Sequence, residues 1–324
     1  MAVARSPQNQ VFTSRLACEY RKSLKPPEIE EFVNQLINRP LGFFVAKFFQ
    51  KLNLGPNVVT TVSLVCGISS GVFFSRSTYQ DIFLAALLLQ SMIIFDCADG
   101  QLARLTRSGT KFGRVIDTYA DFTTHGSIFT GVAIGLYMVS GTPLPFILSF
   151  LALVSMQYHM ALFDHFKSVY VNTVKPDDVD RLVCLKNMQE KLARMDSDKS
   201  RLLKMITKMY VGFYKLQSRI VSIGYPPYTA NFYELFPDAG SIDSHTRELY
   251  SREMRGPTKL WTMIGDTIHL EIFVICGILN RLSFIFPLIL VYTNLVMIVA
   301  IIVQRTKYRN LGLERKMLWQ ERFD

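Results

Sequence analysis

Apolar residues along this chain gather into long blocks separated by short polar links, and the block lengths predict helices that cross a membrane. The first block covers about Val58–Phe74, and the link SRSTYQ leads to a second at Asp81–Phe95. A third goes from Asp117 to about Val139, and a tight SGTP turn leads to a fourth at Leu144–Phe163. A fifth, about Thr262–Leu279, is interrupted by Asp266, His269 and Glu271, whereas a sixth, Leu282–Val303, carries no charge. Ahead of them, Pro27–Leu52 repeats apolar residues at helical spacing with Lys and Arg between. That pattern suits an amphipathic helix in the membrane interface, with Lys47 and Lys51 reaching back to water. It equally describes a helix packed on the protein itself. Pro40 predicts a break into two helices. The expected fold is all-α, a polytopic membrane helical bundle of about six transmembrane helices with an N-terminal amphipathic interfacial helix.

Four regions follow from this pattern. Residues 1–53 hold a polar tail and the interfacial helix, and 54–163 hold the first four spans. Residues 164–260 form a polar, basic insertion, and 261–324 hold the last two spans and a basic tail. In the insertion, Leu182–Ile220 has the spacing of one or two amphipathic helices on a surface. GYPPYTANFYELFPDAG after it reads as an ordered loop with aromatic anchors.

Charge adds orientation. The 324-residue chain carries a formal net charge of +10 although 49% of its residues are hydrophobic. With six spans both termini lie on one side, together with the Arg/Lys-rich link after span two and the insertion. The opposite links carry at most one arginine each, so the positive-inside rule puts the basic side in the cytoplasm. The basicity then serves anionic lipid and anionic substrates, with no nucleic acid as partner. Five dispersed cysteines (Cys18, Cys66, Cys97, Cys184, Cys276) argue against a disulfide framework. The opening MAVARSPQNQVF lacks a secretory apolar core, and its Arg/Ser content without acids before Glu19 is that of a transit peptide.

Candidate chemistry concentrates in DCADGQLARLTRSGTKFGRVIDTYAD, residues 96–121. Asp96 with Asp99, and Asp117 with Asp121, flank the polar ends of apolar runs at spacings that share a helix face. Two such helices side by side aim four carboxylates at one small volume, where they resist ionisation unless a cation sits among them. Oxygen ligands on fixed elements suit Mg2+ or Mn2+, particularly with a phosphate supplying further oxygens. Placing aspartates at mid-helix depth in a membrane costs about 2.5–3.5 kcal/mol each, which makes a purely structural role a poor account of four. Gly100 and Ala103 leave room for a ligand to approach the helix backbone, unless they merely serve helix packing. Arg104 offers a charged fork for a pyrophosphate. Aspartate-rich intramembrane prenyltransferases also hold a metal pyrophosphate, and an acidic ring also suits a divalent-cation carrier. Arg104 beside the acids argues against the carrier.

As a pattern these residues are Asp96-x2-Asp99-Gly100-x2-Ala103-Arg104-x8-Gly113-x3-Asp117-x3-Asp121. This resembles the signature of the CDP-alcohol phosphotransferase family, membrane enzymes of phospholipid synthesis, at every fixed position. Pro56-Asn57-x2-Thr60 at the start of span one is similar to family members as well. The insertion at 164–260 departs from the compact members. The resemblance implies that Asp96, Asp99, Asp117 and Asp121 bind metal, Mg2+ or Mn2+ as two ions. It places Asp121 near the metals as general base, and Gly100, Ala103, Arg104 and Gly113 along the cytidine nucleotide. It implies a CDP-linked donor, a hydroxyl acceptor, release of CMP, residence in membrane lipid and a homodimer. Six spans favour CDP-diacylglycerol as donor. The alternative is a small CDP-alcohol (choline, ethanolamine or inositol) acting on a lipid or polyol.

Other polar residues carry less. Arg107, Lys111 and Arg114 suit either topology or an acceptor phosphate. His125, His159, His165, His245 and His269 share no spacing and read as packing or interface residues. Asp266, His269 and Glu271 either line an acceptor pocket or mark where a helix leaves lipid. Cys97 lies between two of the aspartates, and its position on a helix turns it away from them.

Overall fold

The computed structural model describes residues 16–174 and 244–311, with isolated positions 205, 208, 212 and 219 between them. The amphipathic helices expected in Leu182–Ile220, and the aromatic loop after them, lie outside the described residues. A short helix occupies residues 16–23. The longer elements are α1 (Arg39–Lys51), α2 (Pro56–Phe74), α3 (Tyr79–Thr106), α4 (Lys111–Ser140) and α5 (Leu144–Val174). After the insertion come α6 (Ser244–Trp261), α7 (Asp266–Ile278) and α8 (Asn294–Asn310). The fold is all-α, as expected, and no strand occurs among the described residues.

Among the described residues, five helices are long and apolar enough to cross a membrane, which fits a multi-pass membrane protein. The expected fifth span is a broken helix, Arg247–Ile264 followed by Asp266–Ile278, and counting the pair as one span brings the number among the described residues to six. Gly265 is extended between a 3-10 turn (Thr262–Ile264) and α7, so the helical hydrogen bonds stop there. The last span, Leu282–Asn310, opens with a 3-10 turn, passes through a π segment at Leu288–Thr293 and continues as α8.

Pro40 does not break the N-terminal segment in two. A π-helical turn at Asn34–Asn38 runs directly into α1, with Pro40 in its first turn. The wider hydrogen-bond ring upstream absorbs the donor that proline lacks. The polarity of this segment is turned inside out. Phe32, Leu36, Leu41, Phe44 and Phe48 are exposed, whereas Asn34, Asn38 and Arg39 are buried. Lys47 ties back to Glu19 at 2.9 Å and Gln50 at 2.7 Å.

The chain divides into two compact units. The first comprises Met1–Leu153 and Thr267–Pro287, the second Val154–Asp266 and Leu288–Asp324. In the first, α2 packs against both α3 and α4, and α1 packs against α3. The α2–α4 contact is backbone to backbone. A Cβ added at Gly131 would collide with the Gly71 carbonyl oxygen, and one at Gly71 would collide with the Ser127 carbonyl oxygen. Only glycine permits that approach, which is how small-residue pairs bring membrane helices together. Away from this seam, Phe129 packs edge-on to Phe273 at 4.8 Å between ring centres, and it also stacks on Phe286. In the second unit Phe166 stacks on Trp261 at 4.6 Å, and the Trp261 indole N–H donates to Gln304. His159 is buried and pairs with Asn294, the packing role expected of it.

Candidate active site

The first aspartate pair lies deeper in its helix than the apolar pattern suggests. The residues after Asp99 (GQLARLT) are mostly good helix formers, and α3 continues to Thr106. It stops where Arg107 adopts a left-handed conformation (φ 53°) and the Ser108 N–H bonds the Ala103 carbonyl. Thr110 then caps α4, its hydroxyl accepting from the Gly113 N–H at 2.9 Å. The turn between these caps sends α4 back along α2. Asp117, two turns into α4, thereby comes level with Asp96 and Asp99 on α3.

Oxygens of Asp96, Asp99 and Asp117 lie within 4.8 Å of one another. Asp99 is 8% exposed, and the other two are half-buried. At an effective dielectric of about 20, two unit charges that close repel by about 3 kcal/mol or more. Three such pairs disfavour the ionised triad unless a cation offsets the repulsion. Two oxygens that ligate one Mg2+ at about 2.1 Å stand about 3–4 Å apart, so the donor set and spacing fit a hard divalent cation. Asp121, one turn along α4, is half-buried and stands outside this group.

Asp99 is oriented by α2. The Thr60 hydroxyl donates to Asp99 Oδ2 at 2.6 Å, with the Pro56 carbonyl a longer alternative at 3.2 Å. A Cβ on Gly113 would lie 3.1 Å from Asn57 Oδ1. The Pro56-Asn57-x2-Thr60 start of α2 therefore touches both halves of the motif. Thr60→Val is expected to raise the divalent-metal concentration needed for half-maximal activity about tenfold. Thr60→Ser should restore it, and metal titrations of the three proteins provide the check.

The nucleotide-facing candidates sit one to two turns below. The Arg104 guanidinium lies over Gly100, with its terminal nitrogens 3.5 and 3.6 Å from where a Cβ would be. Its Nε donates to the Ser23 carbonyl at 2.6 Å. Ser23 is fully buried, and its hydroxyl accepts from Gln101 Nε2 at 3.1 Å. Ala103 is half-buried and packs near Gly109. Arg107 is exposed, and the side chains of Lys111 and Arg114 lie outside the described residues.

Several site neighbours are invisible in the apolar pattern. Arg39 and Glu30 form a buried ion pair at 3.2 Å, and Arg39 also donates to the Cys97 carbonyl at 3.1 Å. Cys97 faces away from the triad, its thiol toward Asn34 at 3.5 Å. Asn38 bridges Gln90 (2.8 Å) and Glu271 (3.1 Å), and Asn34 donates to Thr267 at 2.8 Å. The Ile268 N–H, in the first turn of α7, donates to Glu31. Glu271 thus fastens the N-terminal segment to α7, a third role beside the two considered from sequence.

Comparison with known proteins agrees with the motif. Residues 53–178 match the family model described as CDP-alcohol phosphatidyltransferase. A phosphatidylinositol phosphate synthase of Corynebacterium glutamicum is 36% identical over 88 residues, 27% of this chain and 39% of that protein. A CDP-diacylglycerol–serine O-phosphatidyltransferase of Helicobacter pylori is 39% identical over 75 residues, 23% of this chain and 30% of that protein. An archaetidylinositol phosphate synthase of Pyrococcus horikoshii is 32% identical over 92 residues, 28% of this chain and 47% of that protein. The chain thus spans between about a third and a half of the length of these relatives. The matched residues include those that build the acidic triad, so the triad lies within the part of the chain that is similar to CDP-alcohol phosphatidyltransferases.

Proposed function

We propose that this chain transfers a phosphatidyl group from CDP-diacylglycerol to the hydroxyl of a polar acceptor, releasing CMP. The observation that carries this reading is the meeting of three motif carboxylates from two helices, with Thr60 fixing one of them. The donor is the one in the name of the Helicobacter relative, and the inositol phosphate synthases suggest a polyol phosphate as acceptor.

Asp96, Asp99 and Asp117 would hold Mg2+ or Mn2+, as two ions. Bound there, the metal neutralises the pyrophosphate and the charge developing on the departing CMP. Arg104, anchored through Nε and lying over Gly100, directs its fork at the same pyrophosphate. Gly100, Ala103 and Gly113 keep the backbone approachable for the nucleotide. Asp121 is the general base, a carboxylate beside the triad and outside it. The acceptor oxygen bonds to the β-phosphorus while its proton passes to Asp121. The bond from that phosphorus to the bridging oxygen breaks, and its electron pair leaves with CMP. Chemistry of this kind asks mainly for positioning and charge stabilisation, which rigid helices provide. The basic residues after α3 support, by the positive-inside rule, a site at the cytoplasmic face, within reach of soluble nucleotides. The assembly in this reading is a homodimer.

The test is CMP release by the full chain in lipid nanodiscs with Mg2+ or Mn2+. CDP-diacylglycerol, CDP-choline, CDP-ethanolamine and CDP-inositol would each be offered with a panel of hydroxyl acceptors. Metal-dependent release from CDP-diacylglycerol with one acceptor is the expected result. Release from a small CDP-alcohol instead would reassign the donor, and no release with no CDP binding would end the reading.

A further inference from the structure

Arg39 is a charged residue with no place in the family motif, yet it is 4% exposed and lies directly behind that motif. All three of its donor groups are committed. Nε and one terminal nitrogen take the two Glu30 carboxylate oxygens at 3.2 and 3.3 Å. The other terminal nitrogen donates to the Cys97 carbonyl at 3.1 Å. Burying such a pair is expensive, and ion pairs of this kind often contribute nothing net to stability against apolar replacements. Its place in the fold suggests what it does instead.

Cys97 lies between Asp96 and Asp99. Its carbonyl belongs to the helical turn that closes on Gln101, and that turn contains Gly100. A glycine in a helix interior weakens it by about 1 kcal/mol relative to alanine. The two triad carboxylates therefore stand on a locally weak turn, and both must face Asp117 on another helix. Thr60 steadies Asp99 from the α2 side. Arg39 holds the backbone of the same turn from the opposite side, with a charged, planar fork that Glu30 keeps in one orientation.

We infer that Arg39 is a positioning residue for the acidic triad, gripping the Cys97 carbonyl so that Asp96 and Asp99 stay aimed at Asp117. The inference rests on the reading of the triad as a metal site. Its consequence is weaker metal binding when the grip is lost, at the scale seen for groups that orient metal ligands from behind.

The test is direct Mn2+ titration of the full chain in nanodiscs, followed by electron paramagnetic resonance, with thermal unfolding measured alongside. Arg39→Gln is expected to raise the Mn2+ dissociation constant about tenfold or more. At saturating metal, kcat should stay within a few-fold of wild type. Arg39→Lys, which keeps one charged donor without the fork, should fall between the two, and it carries the test if Arg39→Gln does not fold. A folded variant with a lowered unfolding midpoint and wild-type Mn2+ affinity would overturn the inference and leave Arg39 a purely structural residue. Absence of Mn2+ uptake by the wild-type chain would instead overturn the metal site itself, and the inference with it.

Discussion

Replacing Asp121 by asparagine is expected to lower turnover about 10²- to 10⁴-fold, the scale lost when a general base is removed. Asparagine keeps the size and the acceptor oxygen of the side chain but cannot take up a proton at neutral pH. The substitution is half-buried and lies outside the three-carboxylate group, so the fold and the triad have little reason to change. Unfolding midpoint, CDP affinity and Mn2+ affinity should therefore remain close to wild type while CMP release collapses. That combination separates the two roles open to Asp121. A parallel loss of Mn2+ affinity would move Asp121 into the metal-binding set beside Asp117. Wild-type turnover would remove it from the chemistry altogether.

The reason Asp121 has to be separated by experiment is also the reason the sequence read well. A helix repeats about every 3.6 residues, so spacings of three and four place Asp96 with Asp99 and Asp117 with Asp121 without any tertiary information. The apolar blocks located α2, α3, α4 and α5 by their length, which suits a membrane crossing. Where the pattern failed, tertiary partners had taken over. Arg39 and Glu30 could not be singled out, because a charge between apolar residues reads the same whether water or a buried partner receives it. Asn34 and Asn38, four apart in an otherwise apolar segment, were the visible sign that this face turns inward. Ser23 gave no sign, since its backbone carbonyl is what holds Arg104. The α2–α4 seam could have been read from Gly67-x3-Gly71 and Gly131-x3-Gly135, a spacing that marks close helix pairs in membranes. Span five was legible from composition, because Thr262–Leu279 is apolar enough to cross, but its break at Gly265 was not.

Asp117→Asn tests the triad through its charge, and the expected result has opposite signs with and without metal. Asp96 and Asp99 belong to α3, so Asp117 is the member that makes the cluster a contact between helices. Without metal, its neutralisation removes two of the three repulsive pairs, each about 3 kcal/mol or more before screening. The metal-free variant should accordingly unfold at a higher temperature than the metal-free wild type. With metal the order reverses, because a ligand stabilises only the state that binds it. Mn2+ at a hundred times its dissociation constant adds about 2.7 kcal/mol to the wild type. The variant, left with two carboxylates on one helix, should gain little at the same concentration. CMP release should fall by about two orders of magnitude or more, as expected when metal stabilisation of a phosphoryl-type transfer is lost. A chelator should reproduce that loss in the wild type, reversibly on adding Mg2+ or Mn2+. If Asp117→Asn instead destabilised the metal-free protein and kept its response to Mn2+, the aspartate would be a structural partner within the helix contact. The cation would then have to be sought elsewhere.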